Sequence, residues 1–242
     1  MYGQRFRQLG ADPAGIQVTG NTKFDAVTTD ISADVRARVR RENGLPIGEP
    51  VVVFGSTRPG DEQLAAACWR ALRDDIPGLR LVVAPRHLER LDDAMAPFVD
   101  DAILRRSELR GGRRPTGERV LFVDTVGELV SFYAVASVAV IGGSFFPGVN
   151  GHNPLEPTAL GVPTVFGPYM GNFPEPAQVL LQARGAIQVE HPDRLCNAVQ
   201  QILRDPAEQR RLGTRARKAV LDHRGAVTAN VDLIARVLEE HT

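Results

Sequence analysis

The run Asn150 to Pro157, "NGHNPLEP", puts a histidine, side-chain amide groups, two prolines and one carboxylate within a single turn of chain. Asn153 suits a helix N-cap, Pro154 the first helical position and Glu156 the third, where it can close a capping box. The helix should be short, because Gly161 and Pro163 follow closely. Capping accounts for Asn153 and Pro154. Glu156 has a second use, because the glycine-rich run Gly142-Gly143-Ser144 precedes this corner. A carboxylate held beside such a turn can accept both hydroxyls of a ribose, as acidic residues do in dinucleotide-binding sheets.

Three other short runs carry comparable chemistry. In "GSTRPGDE" the glycines Gly55 and Gly60 have the spacing of a phosphate-binding loop, but Asp61 and Glu62 stand where Lys and Ser/Thr would be needed. An NTPase is therefore disfavoured. What remains is a glycine turn with the Ser56 and Thr57 hydroxyls, suited to a phosphate or sugar without Mg²⁺ and equally to plain turn and cap chemistry. In "VAPRHLER", Pro85 ends an apolar run and Arg86 and His87 follow it. A guanidinium at that place can grip phosphate bidentately, although a surface Arg-His pair has the same composition. In "DTVGELV", Thr125 and Glu128 have capping-box spacing, and Gly127 inside that first turn suits a backbone that a flat base must approach.

These runs need elements to hold them. The β-branched stretches "IQVTGN", "PVVVFGS", "LRLVVAP", "DAILRR", "VLFVDT", "VAVIGG" and "PTVFGP" read as strands, and amphipathic segments such as "DEQLAAACWRALRDD", "HLERLDDAMAPFV" and "VGELVSFYAVAS" lie between them. Near-continuous apolar strands alternating with helices predict an α/β fold, a doubly wound, Rossmann-like parallel sheet covered on both faces. Each candidate run then falls at the carboxyl end of a strand, where such sheets bind ligands. From about Pro174 onward the pattern reads as helical, with breaks at Gly185, Pro206 and Gly225.

The 242 residues suffice for one large domain, and 43% hydrophobic residues can fill its core. Twenty-nine basic and 29 acidic side chains cancel, so nucleic acid is not an expected partner and any anion site must be local. Cys68 and Cys196, far apart in sequence, predict buried, inert thiols in a reducing compartment and no disulfide framework. No apolar run reaches the length of a membrane span, and the first residues lack the apolar region of a signal peptide.

Taken in order, "TGNTKFD", "GSTRPGDE", "PRH", "DTVGEL", "GGS", "GHNPLEPTALG" and "FGPYMGNF" resemble the C-terminal half of the Kdo transferases, over most of residues 16 to 190. That resemblance implies the C-terminal half of a GT-B fold. It implies that Pro85 and Arg86, the turn Val126-Gly127-Glu128, and Asn153, Pro154, Leu155 and Glu156 hold CMP, with Ser56, His87, Gly143 and Ser144 as further donor contacts. It also places Lys23 at an interdomain cleft, where an ammonium can stabilise charge on a leaving CMP phosphate. By the same resemblance the donor is CMP-Kdo, no metal is needed, and a lipid A precursor is accepted through an N-terminal domain that also carries the general base. Residues 1–25 are then a remnant of that domain and a linker, and 26–242 the donor domain, with a last helix near 226–240 packing back towards the missing half. The expectation is a fragment or truncated reading frame, inactive alone, soluble and cytoplasmic, from an enzyme at the cytoplasmic side of the inner membrane. Tyr169, Gly171 and Pro174 depart from the family pattern, at positions where a histidine, a bulkier residue and an arginine are expected. Two other readings stay open: a UDP-sugar transferase or epimerase of the same fold, and a non-catalytic nucleotide-binding module with a separate partner domain.

Overall fold

Seven short runs become strands among residues 2–239, the part that the computed structural model describes: β1 (Val51–Thr57), β2 (Arg80–Pro85), β3 (Ile103–Arg105), β4 (Val120–Phe122), β5 (Val138–Ile141), β6 (Thr164–Phe166) and β7 (Ala186–Gln188). Every pairing is parallel, in the order β3-β4-β2-β1-β5-β6-β7. Successive residues of a strand point to opposite faces, and both faces are covered. Val52, Phe54, Leu81, Val83, Phe122 and Val140 lie in one core with residues of the helices Asp61–Leu72 and Leu195–Arg204. Val51, Val53, Val82, Leu121 and Ala139 lie in the other, with residues of the helices Ala33–Glu42 and Leu129–Tyr133. Two buried faces explain why the strands read as unbroken apolar runs without polar alternation. The doubly wound parallel sheet expected from the sequence is the one observed.

The sheet order reverses at β1. From it the chain proceeds to β2 on one side, while β5, β6 and β7 build outward on the other. The crevice above the carboxyl ends of β1 and β5 is thus the topological switch point, where open α/β sheets receive ligands.

Two expectations about strands are corrected. The run Ile16–Asn21 forms no strand; Ile16 and Val18 lie instead close to Gly3 in the helix Tyr2–Gln8. Its apolar residues pack within the unit formed by the chain ends and pair with no strand. Conversely, β7 occurs inside the stretch expected to be helical. At three residues on the sheet margin, it is too short to show a period.

The cysteines are also not independent. Packing of the helices Asp61–Leu72 and Leu195–Arg204 brings Cys68 and Cys196 together as free thiols. A hydrogen bond shared with Cys196, reinforced by burial, pushes the Cys68 thiol up, and the same bond lowers Cys196 to about 7. Cys68 is buried as expected, and Cys196 is half-buried.

The chain divides into two compact units. Thr28–Val220 contains the whole sheet. The described residues of Met1–Val27 and Leu221–Thr242 form the other unit, so the last helix, Ala226–Glu239, groups with the N-terminal residues. Within that unit the Asp25 carboxylate caps the last helix, accepting from the Gly225 and Val227 N–H groups at 2.6 and 2.9 Å. The Phe24 and His223 rings stack at 5.2 Å. Among the described residues no helix is long and apolar enough to cross a membrane.

Candidate functional site

The end of β1 is irregular for a physical reason. Its pairing with β2 slips between Gly55 and Thr57, and Ser56 at the bulge takes a left-handed conformation, φ 56°. The chain leaving β5 passes directly against this bulge: a Cβ on Gly142 would lie 2.4 Å from the Ser56 carbonyl oxygen. Only glycine fits there. The Gly142 N–H then bonds the Gly55 carbonyl at 2.9 Å, and the Arg86 N–H bonds the Thr57 carbonyl at 3.0 Å. Three strand ends, those of β1, β2 and β5, are locked together at the switch point.

Two acids complete this lock. Asp61, 1% exposed, accepts the Arg58 N–H at 2.8 Å and the Gly143 N–H at 2.6 Å through one oxygen. Burial raises its carboxyl to about 6, against the lowering effect of those two bonds. Glu62, equally buried, accepts the Thr57 hydroxyl at 2.9 Å and lies 3.7 Å from Arg90. The residues that replace the Lys and Ser/Thr of a phosphate loop are therefore internal struts. They also engage groups that the sequence offered to a ligand. Gly143 has its N–H bonded to Asp61, and Ser144, 0% exposed, donates to the Ile141 carbonyl at 2.6 Å while accepting from Gly167 at 2.9 Å. Both groups are engaged within the fold at the switch point.

Arg86 and His87 emerge next to this lock. Pro85 is buried as the last residue of β2, whereas Arg86 is exposed and has no described carboxylate within 4.0 Å. His87 faces Glu89 at 3.0 Å.

Beyond β4 the chain makes an open shelf. Val126 is 86% exposed, and Gly127 has φ +83° with nothing within 4 Å of where a Cβ would sit. The left-handed backbone alone requires glycine here. The expected capping box does not form, because the helix starts at Leu129, after Glu128. Instead the Thr125 hydroxyl donates to the Glu128 side chain, which also takes the Arg106 guanidinium at 3.0 Å. Burial would raise the Glu128 carboxyl, but these two partners outweigh it and hold the group below its ordinary value.

The corner after β5 departs from expectation by one residue: the helix Leu155–Ala159 starts after Pro154, which takes the N-cap position, so Glu156 is its second residue, and Asn153 accepts the Leu155 N–H at 3.0 Å from just outside the helix. Glu156 takes the Asn153 amide at 3.3 Å, side chain to side chain, with no bond to the Asn153 backbone. Pro154 and Leu155 are buried and hold the turn. Glu156 is half-buried; desolvation raises its carboxyl, opposed by the Asn153 bond and by the positive charge of Arg86. The acid and the guanidinium of two separate loops therefore lie within electrostatic reach of each other.

His152 and Arg58 were not singled out in the sequence, and the structure brings them to the same mouth. Desolvation, then the charges of Arg58, Arg86 and His87, hold the His152 ring neutral, at about 4. Its Nε2 and the Nε of Arg58 are buried without a hydrogen-bond partner. The sequence signal was present: His152 lies inside the quoted run and Arg58 in the glycine turn. Ser56 is half-buried at the bulge beside them.

Other expected residues lie elsewhere. Lys23 is in the unit with the chain ends, on the turn Thr22–Phe24, with its N–H capped by Asn21 at 3.1 Å. Tyr169 is anchored by its N–H to the Ser144 carbonyl at 3.0 Å with its side chain 38% exposed, Gly171 is exposed, and Pro174 opens the helix Pro174–Gln182. A separate concavity of about 510 Å³ lies at the amino ends of the strands, beside Arg40, Leu45, Arg80 and Glu118. Several of its charges are engaged within the fold: Arg40 bonds carbonyls of Pro46 and Val135, Arg80 pairs with Glu49, and Glu118 bonds Arg113.

Comparison with known proteins bears on this site. No family model matches the chain. The 3-deoxy-D-manno-octulosonic acid transferase of Haemophilus influenzae is 31% identical over 250 residues, covering 99% of this chain and 56% of that protein. The enzyme of the same description from Bordetella pertussis is 32% identical over 237 residues, covering 96% and 54% respectively. The chain thus spans about half the length of these curated relatives. Among solved structures, the C-terminal CMP-Kdo binding domain of WaaA from Acinetobacter baumannii superposes with a TM-score of 0.70 at 28% identity, covering 77% of this chain and 96% of that domain. Similarity to the transferases over nearly all of this chain and the match to one of their C-terminal domains agree with the resemblance read from the seven ordered motifs: the chain belongs to the 3-deoxy-D-manno-octulosonic acid transferase family, as a counterpart of its C-terminal, GT-B-type domain.

Proposed function

We propose that the sheet-bearing unit holds CMP-Kdo as the donor of a glycosyltransferase that passes Kdo to a lipid A precursor. The observation that carries this reading is that Arg86 and Glu156, from loops at the carboxyl ends of β2 and β5, lie within electrostatic reach of each other, in a chain related to transferases and similar to a C-terminal CMP-Kdo binding domain. Arg86 offers an unpaired guanidinium to the phosphate. Glu156 has one oxygen on Asn153 and a second free of any described hydrogen-bond partner, so it can accept ribose hydroxyls. The exposed Val126 and the open backbone at Gly127, beyond the carboxyl end of β4, can take the pyrimidine.

In this reading an acceptor hydroxyl, deprotonated by a base from the half of the relatives that this chain does not span, attacks the anomeric carbon. The bond to the phosphate oxygen breaks, and Arg86 stabilises the charge left on CMP.

Titration calorimetry with CMP, UMP and cytidine tests the proposal. CMP should bind at least tenfold tighter than UMP or cytidine. Equal affinity for UMP would favour a UDP-sugar enzyme, and absence of CMP binding would overturn the reading.

A further inference from the structure

We infer that Arg58 and His152 form a second anion subsite, adjoining Arg86, which receives the carboxylate of an acidic donor sugar. The inference rests on the cytidine-nucleotide reading above and names what else the same mouth recognises.

Arg58 follows β1 and His152 follows β5, so the two come from opposite sides of the topological reversal. Arg86 follows β2, and the His152 ring lies within the fields of both guanidinium groups and of His87. Neither Arg58 nor Arg86 has a described carboxylate within 4.0 Å, and Asp61, whose charge reaches Arg58, directs one oxygen at two backbone N–H groups. The two guanidinium groups repel one another, and a buried polar nitrogen without a partner is destabilising. Two such nitrogens lie here, Arg58 Nε and His152 Nε2. An incoming anion satisfies them and neutralises the repulsion.

One phosphate does not need this many donors. In a CMP-activated 2-keto sugar acid, however, the carboxylate and the phosphate oxygen are attached to the same carbon, so two anions arrive side by side. Three adjoining basic side chains, with Arg86 on the phosphate and Arg58 and His152 on the carboxylate, fit that pair. A hexose nucleotide carries no carboxylate, although its second phosphate is also an anion. UDP-glucose is therefore the necessary control.

The test is competition against a fluorescent cytidine nucleotide, using CMP, freshly prepared CMP-Kdo and UDP-glucose, on the wild-type chain and on Arg58→Gln, His152→Asn and Arg86→Ala, each checked for an unchanged melting temperature. On the wild type, CMP-Kdo should compete at least tenfold better than CMP. Arg58→Gln and His152→Asn should bring that ratio close to one while CMP itself changes by less than threefold, whereas Arg86→Ala should weaken both ligands. Equal losses of CMP and CMP-Kdo in Arg58→Gln, or an unchanged ratio, would overturn the carboxylate subsite. So would UDP-glucose competing better than CMP-Kdo, since the second anion would then be a phosphate. Failure of CMP to compete at all is a different result: it removes the cytidine-nucleotide reading, and the subsite falls with it.

Discussion

The carboxylate of Asp61 accepts the Gly143 N–H at 2.6 Å, so one buried acid ties the turn after β1 to the turn after β5 across the switch point. The bond gives the mouth its shape, and it holds a charge away from water. Desolvation raises the Asp61 carboxyl from 3.8 to about 6. A folded-state value above the unfolded one means that the native protein binds the extra proton, so stability contributed by this group is full below about 4 and is lost as pH rises through about 6. Asp61→Asn keeps an oxygen for the two N–H groups and removes the charge. In chemical denaturation at pH 7 the variant should equal or exceed the wild type, with a ceiling on the order of 3 kcal/mol. The difference should shrink towards pH 4. A variant that is less stable at every pH would show that the charge itself holds the turns.

Arg86→Ala should weaken CMP by about 1.5–3 kcal/mol, the range for a charge-assisted hydrogen bond. Cytidine, which lacks the phosphate, should be nearly indifferent. Calorimetry with both ligands decides: equal losses would mean that Arg86 supports the mouth without touching phosphate.

Glu156→Gln asks whether the acid serves the ligand or the helix. Glutamine retains an acceptor for the Asn153 amide, and the Leu155 N–H is capped by Asn153 in either case. The melting temperature should therefore move little while CMP affinity falls. A clear drop in melting temperature with unchanged affinity would assign Glu156 to the turn alone.

The parts of this site differ in how readily the sequence shows them. Strand ends followed by Gly, Pro or Arg are visible because each marks a change of period, and their common location follows from the rule for parallel sheets. Asn153 and Pro154 are visible because capping is local. Asp61 and Glu62 are a different case. Their spacing excludes a nucleotide-triphosphate loop correctly, but their partners, Gly143 and Thr57, are chosen by tertiary packing. Thr125 and Glu128 illustrate the opposite error: the spacing of a capping box is present, yet a non-local partner, Arg106, draws the carboxylate away and the helix begins later. The histidine of that corner, His152, has no role legible in the sequence because a lone histidine in a glycine loop has no period and no fixed partner. Its meaning comes from Arg58 and Arg86, 94 and 66 positions earlier in the chain.

The last prediction concerns how the core supports the mouth. Tyr133, fully buried, runs under the end of β1, and a Cβ on Gly55 would lie 1.8 Å from its hydroxyl oxygen and 2.6 Å from the ring carbon that bears it. Neither atom is the tip of a flexible chain, so Gly55→Ala must displace the ring or the strand. Overpacking of this kind costs about 1–3 kcal/mol. Because β1 leads directly into the bulge at Ser56 and on to Arg58, a shifted strand end should also weaken CMP binding. Tyr133→Phe removes the closer contact and leaves the ring carbon, so the double variant Gly55→Ala/Tyr133→Phe should regain part of the stability and part of the affinity. A thermodynamic cycle over the four proteins measures the coupling. Stability restored without affinity would mean that the mouth does not depend on the height of β1. Strict additivity of the two substitutions would mean that the backbone, and not Tyr133, relieves the clash.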